Sequence, residues 1–391
     1  MSASESARPG VAATFVREAA ARIAAGAVDQ IAALVAVSSP SGDVPGAERA
    51  IELLLEQLPS GVSVERPQCS TPEHAPDLIA RLRGSGRGRV VLLGHVDTVI
   101  GHGSHRPLVI EGEHLVGSGS IDMKAGDVLA AGVMRELAEA PDRFEELALL
   151  AVTDEEWRRR PFVHGPAFAG WDACLCFEGG ERDPDGVGDG VVVKRKAAGT
   201  LRIEAEGVAS HSGSAPDAGR NALLALAEVA RLASAQHDPE GPERLSSVPT
   251  ILRSGDAFNV VPDRGELFCD LRADSEASFD RVLGELPRDV DGVGIDPRLI
   301  RVWPGMDTRE VAAPLVAAAA ELTGRPLLAR ARGGASDASH MAQSIELVID
   351  GLGPLGGRAH APEEYVEAGS IGRRAEVALA LVVAVLEAAR G

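Results

Sequence analysis

At 391 residues the chain exceeds the size at which a single hydrophobic core usually stops growing, so two domains are expected. Hydrophobic and charged fractions of 45% and 25% are those of an ordinary globular protein and exclude a disordered or fibrous chain. A formal charge of −19 disfavours nucleic acid or an anionic membrane surface as partner, and an anionic substrate would need a local cationic pocket. The opening MSASESARPGVAATF lacks the basic and apolar regions of a secretory signal. The longest apolar run, Val377 to Leu386, falls well short of the roughly 18 residues of a membrane span, so a soluble, cytoplasmic protein is expected. Cys69, Cys174, Cys176 and Cys269 show neither metal-type pairing nor a disulfide framework and read as buried free thiols.

In chain order, the first strong signal is VVLL from Val90, which leads into GHVD. A helix is expected over Lys124 to Ala140. LALLAV then leads into TDEE, and ACLCF into EGGE. Short apolar runs between helices fit fully buried parallel strands, with helices on both faces of the sheet. In such sheets a site lies beyond the carboxyl ends of the strands, where these polar clusters stand. The segment DPDGVGDG from Asp183 reads as a surface loop whose likeness to a calcium loop lacks the closing glutamate.

The pattern changes after Val193. In TLRIEAEG, Leu201, Ile203 and Ala205 alternate with charged residues, and ELFCDLRAD repeats this with Leu267, Cys269 and Leu271. That period of two marks half-exposed antiparallel strands. Between them NALLALAEVARLASA, from Asn221, reads as an amphipathic helix. These features place an inserted α+β domain over 196–304, with 1–195 and 305–391 forming an α/β domain.

Five segments of the α/β part carry metal-type side chains: His95 and Asp97, Asp122, the pair Glu155 and Glu156, Glu178, and His360. Imidazole and carboxylate without thiolate suit zinc or a similar divalent ion, such as cobalt or manganese, with positions open to water. Two ions need one bridging carboxylate and an N/O pair each. Asp122 would then bridge, with His95 and Glu178 on one ion and Glu156 and His360 on the other. Asp97 would then orient His95. Of the glutamate pair, one binds metal and one stays free for proton transfer. No G-x-S-x-G elbow or phosphate loop competes with this reading.

The ordered set GHVDTV, GSGSIDMKAG, TDEE, FEGGE, ASHSGSAPDAGRNAL, FNVVPD and GGASDASHMA followed by GLGPLGGRAHAPEEYV resembles the dizinc aminoacylase and carboxypeptidase family. Its glutamate carboxypeptidase members are nearest in pattern, and the resemblance runs from about Val37 to the C-terminus. It implies His95, Asp122, Glu156, Glu178 and His360 as ligands, Asp97 as orienter and Glu155 as general base. It further implies a homodimer formed through the inserted lid domain, with His211 reaching the partner's site to steady the oxyanion. Asn259 and Arg272 match substrate contacts, the arginine gripping a carboxylate. A cis peptide is implied at Asp122–Met123.

The expected activity is release of an amino acid from a peptide or N-acyl conjugate bearing a free carboxylate. An acetylornithine or succinyl-diaminopimelate type deacylase is the alternative. A third reading, an inactive metal-retaining binding protein, is disfavoured by the intact Glu155. The chain departs from the family at WRRRPF, where small residues usually follow the glutamate pair. Arg158, Arg159 and Arg160 offer a grip on an acidic substrate group, but the preferred reading is a solvated loop that offsets nearby acids. Against 36 arginines stand three lysines, Lys124, Lys194 and Lys196, all in or beside these segments. Lys194 or Lys196 is therefore expected to contact substrate or hinge.

Overall fold

The structure, a computed structural model, describes residues 9–158, 160–182 and 188–390. Arg159 and most of the DPDGVGDG loop lie outside the described residues. The chain forms two compact units. The first comprises Met1–Lys194, Asp307–Ala331 and Ser336–Gly391, and the second Arg195–Met306 with Arg332–Ala335. The sequence reading assigned Arg332–Ala335 to the first unit. Hydrogen bonds explain the difference: the Lys196 amide donates to the Arg332 carbonyl at 3.2 Å, and Arg195 Nη1 to the Gly334 carbonyl at 2.8 Å.

In the first unit, strands β1 (Ser63–Glu65), β2 (Leu78–Arg83), β3 (Arg89–His95), β4 (Glu146–Val152) and β5 (Ala173–Cys176) join Val348–Ile349 in one sheet. The spatial order is β1–β2–β4–β3–β5–Val348–Ile349. β4, β3, β5 and Val348–Ile349 run parallel, while β1 and β2 add an antiparallel edge. Every residue of β3 from Val90 to His95 is buried. Because successive side chains point to opposite faces, both faces of this strand are covered, as its unbroken apolar run requires.

The covering helices include Ala125–Ala138 and Ile371–Ala388, both of which touch β3. Val377 to Leu386 is apolar because it is buried all round, packed between Pro9–Val35 and Arg309–Thr323. The helix Pro9–Val35 has no counterpart in the sequence reading, yet Val16, Ile23, Ala27, Ile31 and Leu34 form one buried stripe along it. Among the described residues, no helix is long and apolar enough to cross a membrane. All four cysteines are free and buried.

The second unit is built on an antiparallel sheet of β6 (Ala197–Glu206), β7 (Ser246–Ser254), β8 (Arg264–Ala273), β9 (Asp289–Val290) and β10 (Val293–Trp303), ordered β7–β8–β6–β10–β9. Leu201, Ile203 and Ala205 of β6 and Leu267, Cys269 and Leu271 of β8 all point into its core, while the alternating charges do not. Helix Ala222–Ala235 supplies Leu226 and Val229, and Ala277–Glu285 supplies Phe279 and Val282. Asn221 caps the first helix by accepting the amides of Leu223 and Leu224 at 3.0 and 3.2 Å.

Candidate active site

The candidate ligands stand where the elements of the first unit end. His95 closes β3, Glu155 and Glu156 follow β4, and Glu178 follows β5. Asp122 occupies the turn leading into Ala125–Ala138, and its bond to Met123 is cis. That helix packs tightly on the end of β5 because residue 126 is glycine: a Cβ there would lie 1.9 Å from the Phe177 carbonyl oxygen. The close approach sets the Asp122 turn against Glu178. His360 lies in the C-terminal loop with φ of +66°, a left-handed conformation that costs a non-glycine residue about 1–2 kcal/mol. Such strain persists where the surroundings over-determine it.

The side chains converge. His95 Nε2 lies 3.1 Å from Asp122 Oδ1 and 3.8 Å from Glu178 Oε1. His360 Nε2 lies 2.9 Å from Asp122 Oδ2 and 3.3 Å from Glu156 Oε2. Each oxygen of Asp122 therefore faces a different imidazole, one accompanied by Glu178 and the other by Glu156. Potential ligand atoms of His95, Asp122 and Glu156 all lie within 4.8 Å of one another.

Asp97 holds two partners at once. His95 Nδ1 is 3.0 Å from the Asp97 carbonyl oxygen and 3.4 Å from its carboxylate, so the ring is oriented with Nε2 toward the cluster. The same carboxylate accepts the amides of Glu155 and Glu156, each at 3.1 Å. One buried acid thus fixes both the imidazole and the backbone of the glutamate pair.

The electrostatics are those of an acid cluster drawing in positive charge. Burial opposes protonation of His95, but hydrogen bonds to Asp122 and Asp97 outweigh it and raise its pKa well above the usual imidazole range. Hydrogen bonds to Asp122 and Glu156 push His360 up to about 11. Burial would raise Asp122, yet the two imidazoles hold it below the usual carboxylate range. Glu155 is pushed up by burial and by the charges of Asp337, Glu178 and Glu156, against His95. Burial likewise raises Glu156. Among the described residues, Glu156 Oε1 is buried without a hydrogen-bond partner. Two imidazoles, three carboxylates, no thiolate and an orphaned carboxylate oxygen fit hard or borderline divalent cations.

Two features escaped the sequence reading. Glu364, four residues beyond His360, is buried and accepts the amides of Gly119, Ile121 and Asp122 at 3.0, 2.8 and 2.9 Å. It locks the turn that presents Asp122, and burial carries its pKa to about 7 despite those bonds. The acidic pair in HAPEEY was its only signal. The second feature is a correction. Arg158 is not part of a solvated loop; it is buried between Asp154 and Asp337, whose carboxylates neutralise it. Only Arg160 of the described arginines there is exposed.

His211, Asn259 and Arg272 belong to the second unit. His211 lies on the short strand Ser210–His211, which pairs with Val260–Val261 beside Asn259. Its Nδ1 accepts the amides of Gly213 and Ser214, both at 3.1 Å, so the neutral ring carries its proton on exposed Nε2. Asn259 is exposed, and its carbonyl accepts the Ser212 amide. Arg272 pairs with both oxygens of Asp270, at 3.0 and 3.1 Å, and lines a cavity of about 210 Å³ with Arg301 and Trp303. The lysines are all engaged. Lys124 Nζ donates to the Val37 carbonyl at 2.6 Å, Lys194 pairs with Asp307 at 3.3 Å, and Lys196 donates to the Arg244 carbonyl at 2.6 Å. Lys194 and Asp307 are the residues at which the chain leaves and re-enters the first unit.

Residues 91–384 match the family described as peptidase family M20/M25/M40. The chain belongs to that family. It is a metal-dependent hydrolase of amide bonds. The chain is 27% identical to carboxypeptidase G2 of Pseudomonas sp. (strain RS-16) over 372 residues, covering 90% of this chain and 87% of that one. It is 28% identical to a succinyl-diaminopimelate desuccinylase of Methylobacterium sp. (strain 4-46), covering 81% and 86%. Among solved structures it shares its fold with aminopeptidase PepT from Bacillus cereus ATCC 10987 at a TM-score of 0.75 and 20% identity, covering 93% and 98%. The M20 family metallo-carboxypeptidase Sso-CP2 from Sulfolobus solfataricus has the same fold, with a TM-score of 0.69 and 14% identity over 92% and 99%.

Proposed function

We propose that the hydrolase releases an amino acid from a peptide or N-acyl conjugate carrying a free carboxylate, in the manner of a glutamate carboxypeptidase. The observation that carries the proposal is the placement of Asp122 between two imidazoles, each with its own glutamate and with Glu155 alongside. Two divalent ions, zinc by preference and cobalt or manganese as substitutes, would be held by His95 with Glu178 and by His360 with Glu156, Asp122 being shared. Bound there, such ions polarise an amide carbonyl and bring the pKa of water down to about 7. Glu155 takes the proton from the attacking water and passes it to the leaving amine, a task that suits a carboxyl group raised above its ordinary range. The Nε2–H of His211 is a ready donor to the oxyanion. Arg272 grips the substrate carboxylate in competition with Asp270.

A homodimer formed through the second unit completes the reading, with His211 serving the partner's site. Support comes from edge strand β7, where Val248, Ile251 and Leu252 are exposed, and from exposed Leu224 on the adjoining helix. An edge strand with open apolar residues is a template for pairing. Four free thiols suit a reducing compartment, the cytoplasm. Similarity to a succinyl-diaminopimelate desuccinylase favours one second reading, an N-acyl-amino-acid deacylase working with the same groups. The test is a hydrolysis screen of zinc-loaded protein over C-terminal glutamate conjugates and N-acyl amino acids, read as released amino acid. Glutamate conjugates turned over faster support the first reading; N-succinyl or N-acetyl amino acids turned over faster support the second; no metal-dependent release removes both.

A further inference from the structure

Arg158 stands where small residues usually follow the glutamate pair, and it is among the most deeply buried large side chains, 1% exposed. Its Nε and Nη2 donate to Asp154 Oδ1 at 3.0 and 2.8 Å. Nη2 also donates to Asp337 Oδ2 at 2.8 Å, and Nη1 donates to Asp337 Oδ1. The Phe162 ring covers the guanidinium at 4.8 Å. Asp154 is held from its other side by the Thr71 amide at 2.8 Å.

The clamp brackets the glutamate pair. Asp154 and Arg158 flank Glu155 and Glu156 in sequence, and the pairing of their side chains spans that turn, while the two glutamate amides are caught on Asp97. The far end of the clamp, Asp337, opens the short helix Asp337–Met341 that packs on β5, so the end of β4 is tied to an element 179 residues away. A buried ion pair is weak evidence for stability in itself, because apolar replacements are often as good; what the planar fork supplies is direction. A shift of about 1 Å in a catalytic group costs on the order of 10²-fold in rate.

We infer that Arg158 is a positioning residue of the active site, fixing the loop that carries Glu155 and Glu156 against Asp337. The inference rests on the proposed function for the role of Glu155 but can fail without it. Arg158→Lys keeps one charge and loses the fork; Asp337→Asn keeps the shape and loses the charge. Each variant is tested by thermal melting, by kcat and KM on the best substrate, and by the visible absorption of the cobalt-loaded protein, which reports ligand geometry without turnover.

The expected result is cooperative melting, KM within about threefold of wild type, kcat lowered on the order of 10²-fold in Arg158→Lys, and an altered cobalt spectrum. The losses in the double variant do not add, because both substitutions break one clamp. Folded variants with unchanged kcat and an unchanged cobalt spectrum overturn the inference. If neither variant melts cooperatively, Arg158 is a folding device and the inference falls as well. A wild type without hydrolytic activity would sink the proposed function, while the cobalt spectra would still decide on Arg158.

Discussion

Two candidate ligands of the first unit, His95 and Asp122, are held by further buried groups, whereas the second-unit residues expected to meet substrate make only local contacts. His95 is oriented by Asp97, and the Asp122 turn by three amides on Glu364. His211 and Asn259, by contrast, are exposed beside a two-residue ribbon, and Arg272 is already paired with Asp270. The contrast separates side chains fixed at buried strand ends and turns from candidate substrate contacts offered at accessible surface.

The largest effect expected is at Glu155. Glu155→Gln should lower kcat by about 10⁴-fold, the upper range for a general base, while metal content by elemental analysis stays at the wild-type value. A variant that lost its metals instead would make Glu155 a ligand and erase the distinction within the pair. His211→Ala should lower kcat by about 10²- to 10³-fold with an unchanged melting curve, since its ring is exposed and its loss removes a donor to the oxyanion. If melting fell with activity, the second unit would be as rigidly built as the first.

Glu364→Gln sharpens the comparison from the other side. It touches no substrate, yet it should weaken metal binding by about 10- to 100-fold in a competition titration, because one side chain holds three amides of the Asp122 turn. Arg272→Met should raise KM by about tenfold for substrates with a free carboxylate and leave their amides unaffected, the scale of a lost hydrogen bond to a charged group.

The pH dependence of metal binding follows from His360. Its pKa in the metal-free protein, about 11, lies above the ordinary 6.5, so the ring is protonated at neutral pH and a cation must displace that proton. Metal affinity should therefore climb with pH, by about tenfold per unit for each proton released, as calorimetry in buffers of different ionisation enthalpy would record. In the metal-free protein the sign reverses. The His360 pairings contribute fully below pH 6.5, and the stability they give is lost as pH rises toward 11.

The sheet of the first unit was readable because buried parallel strands are apolar throughout: VVLL, LALLAV and ACLC each became one strand. The alternation of β6 and β8 was equally plain. What sequence could not convey is who neutralises whom across long separations. Arg158 looks like one arginine of three until Asp337 is brought beside it, and the surrounding arginines invite a solvated reading. Glu364 was hidden for another reason: its partners are backbone amides, which leave no side-chain pattern. The helix Pro9–Val35 is alanine-rich, so its buried stripe carries little contrast. Arg332–Ala335 joined the second unit through hydrogen bonds at its ends, which no composition reveals.

The central claim is that loops distant in the chain gather round one shared carboxylate to hold two cations. Anomalous diffraction from crystals grown with zinc tests it most directly. The account predicts two peaks about 3.5–4 Å apart, one beside His95 and Glu178, the other beside His360 and Glu156, with an Asp122 oxygen on each. A single peak, or peaks that leave Asp122 untouched, would contradict it.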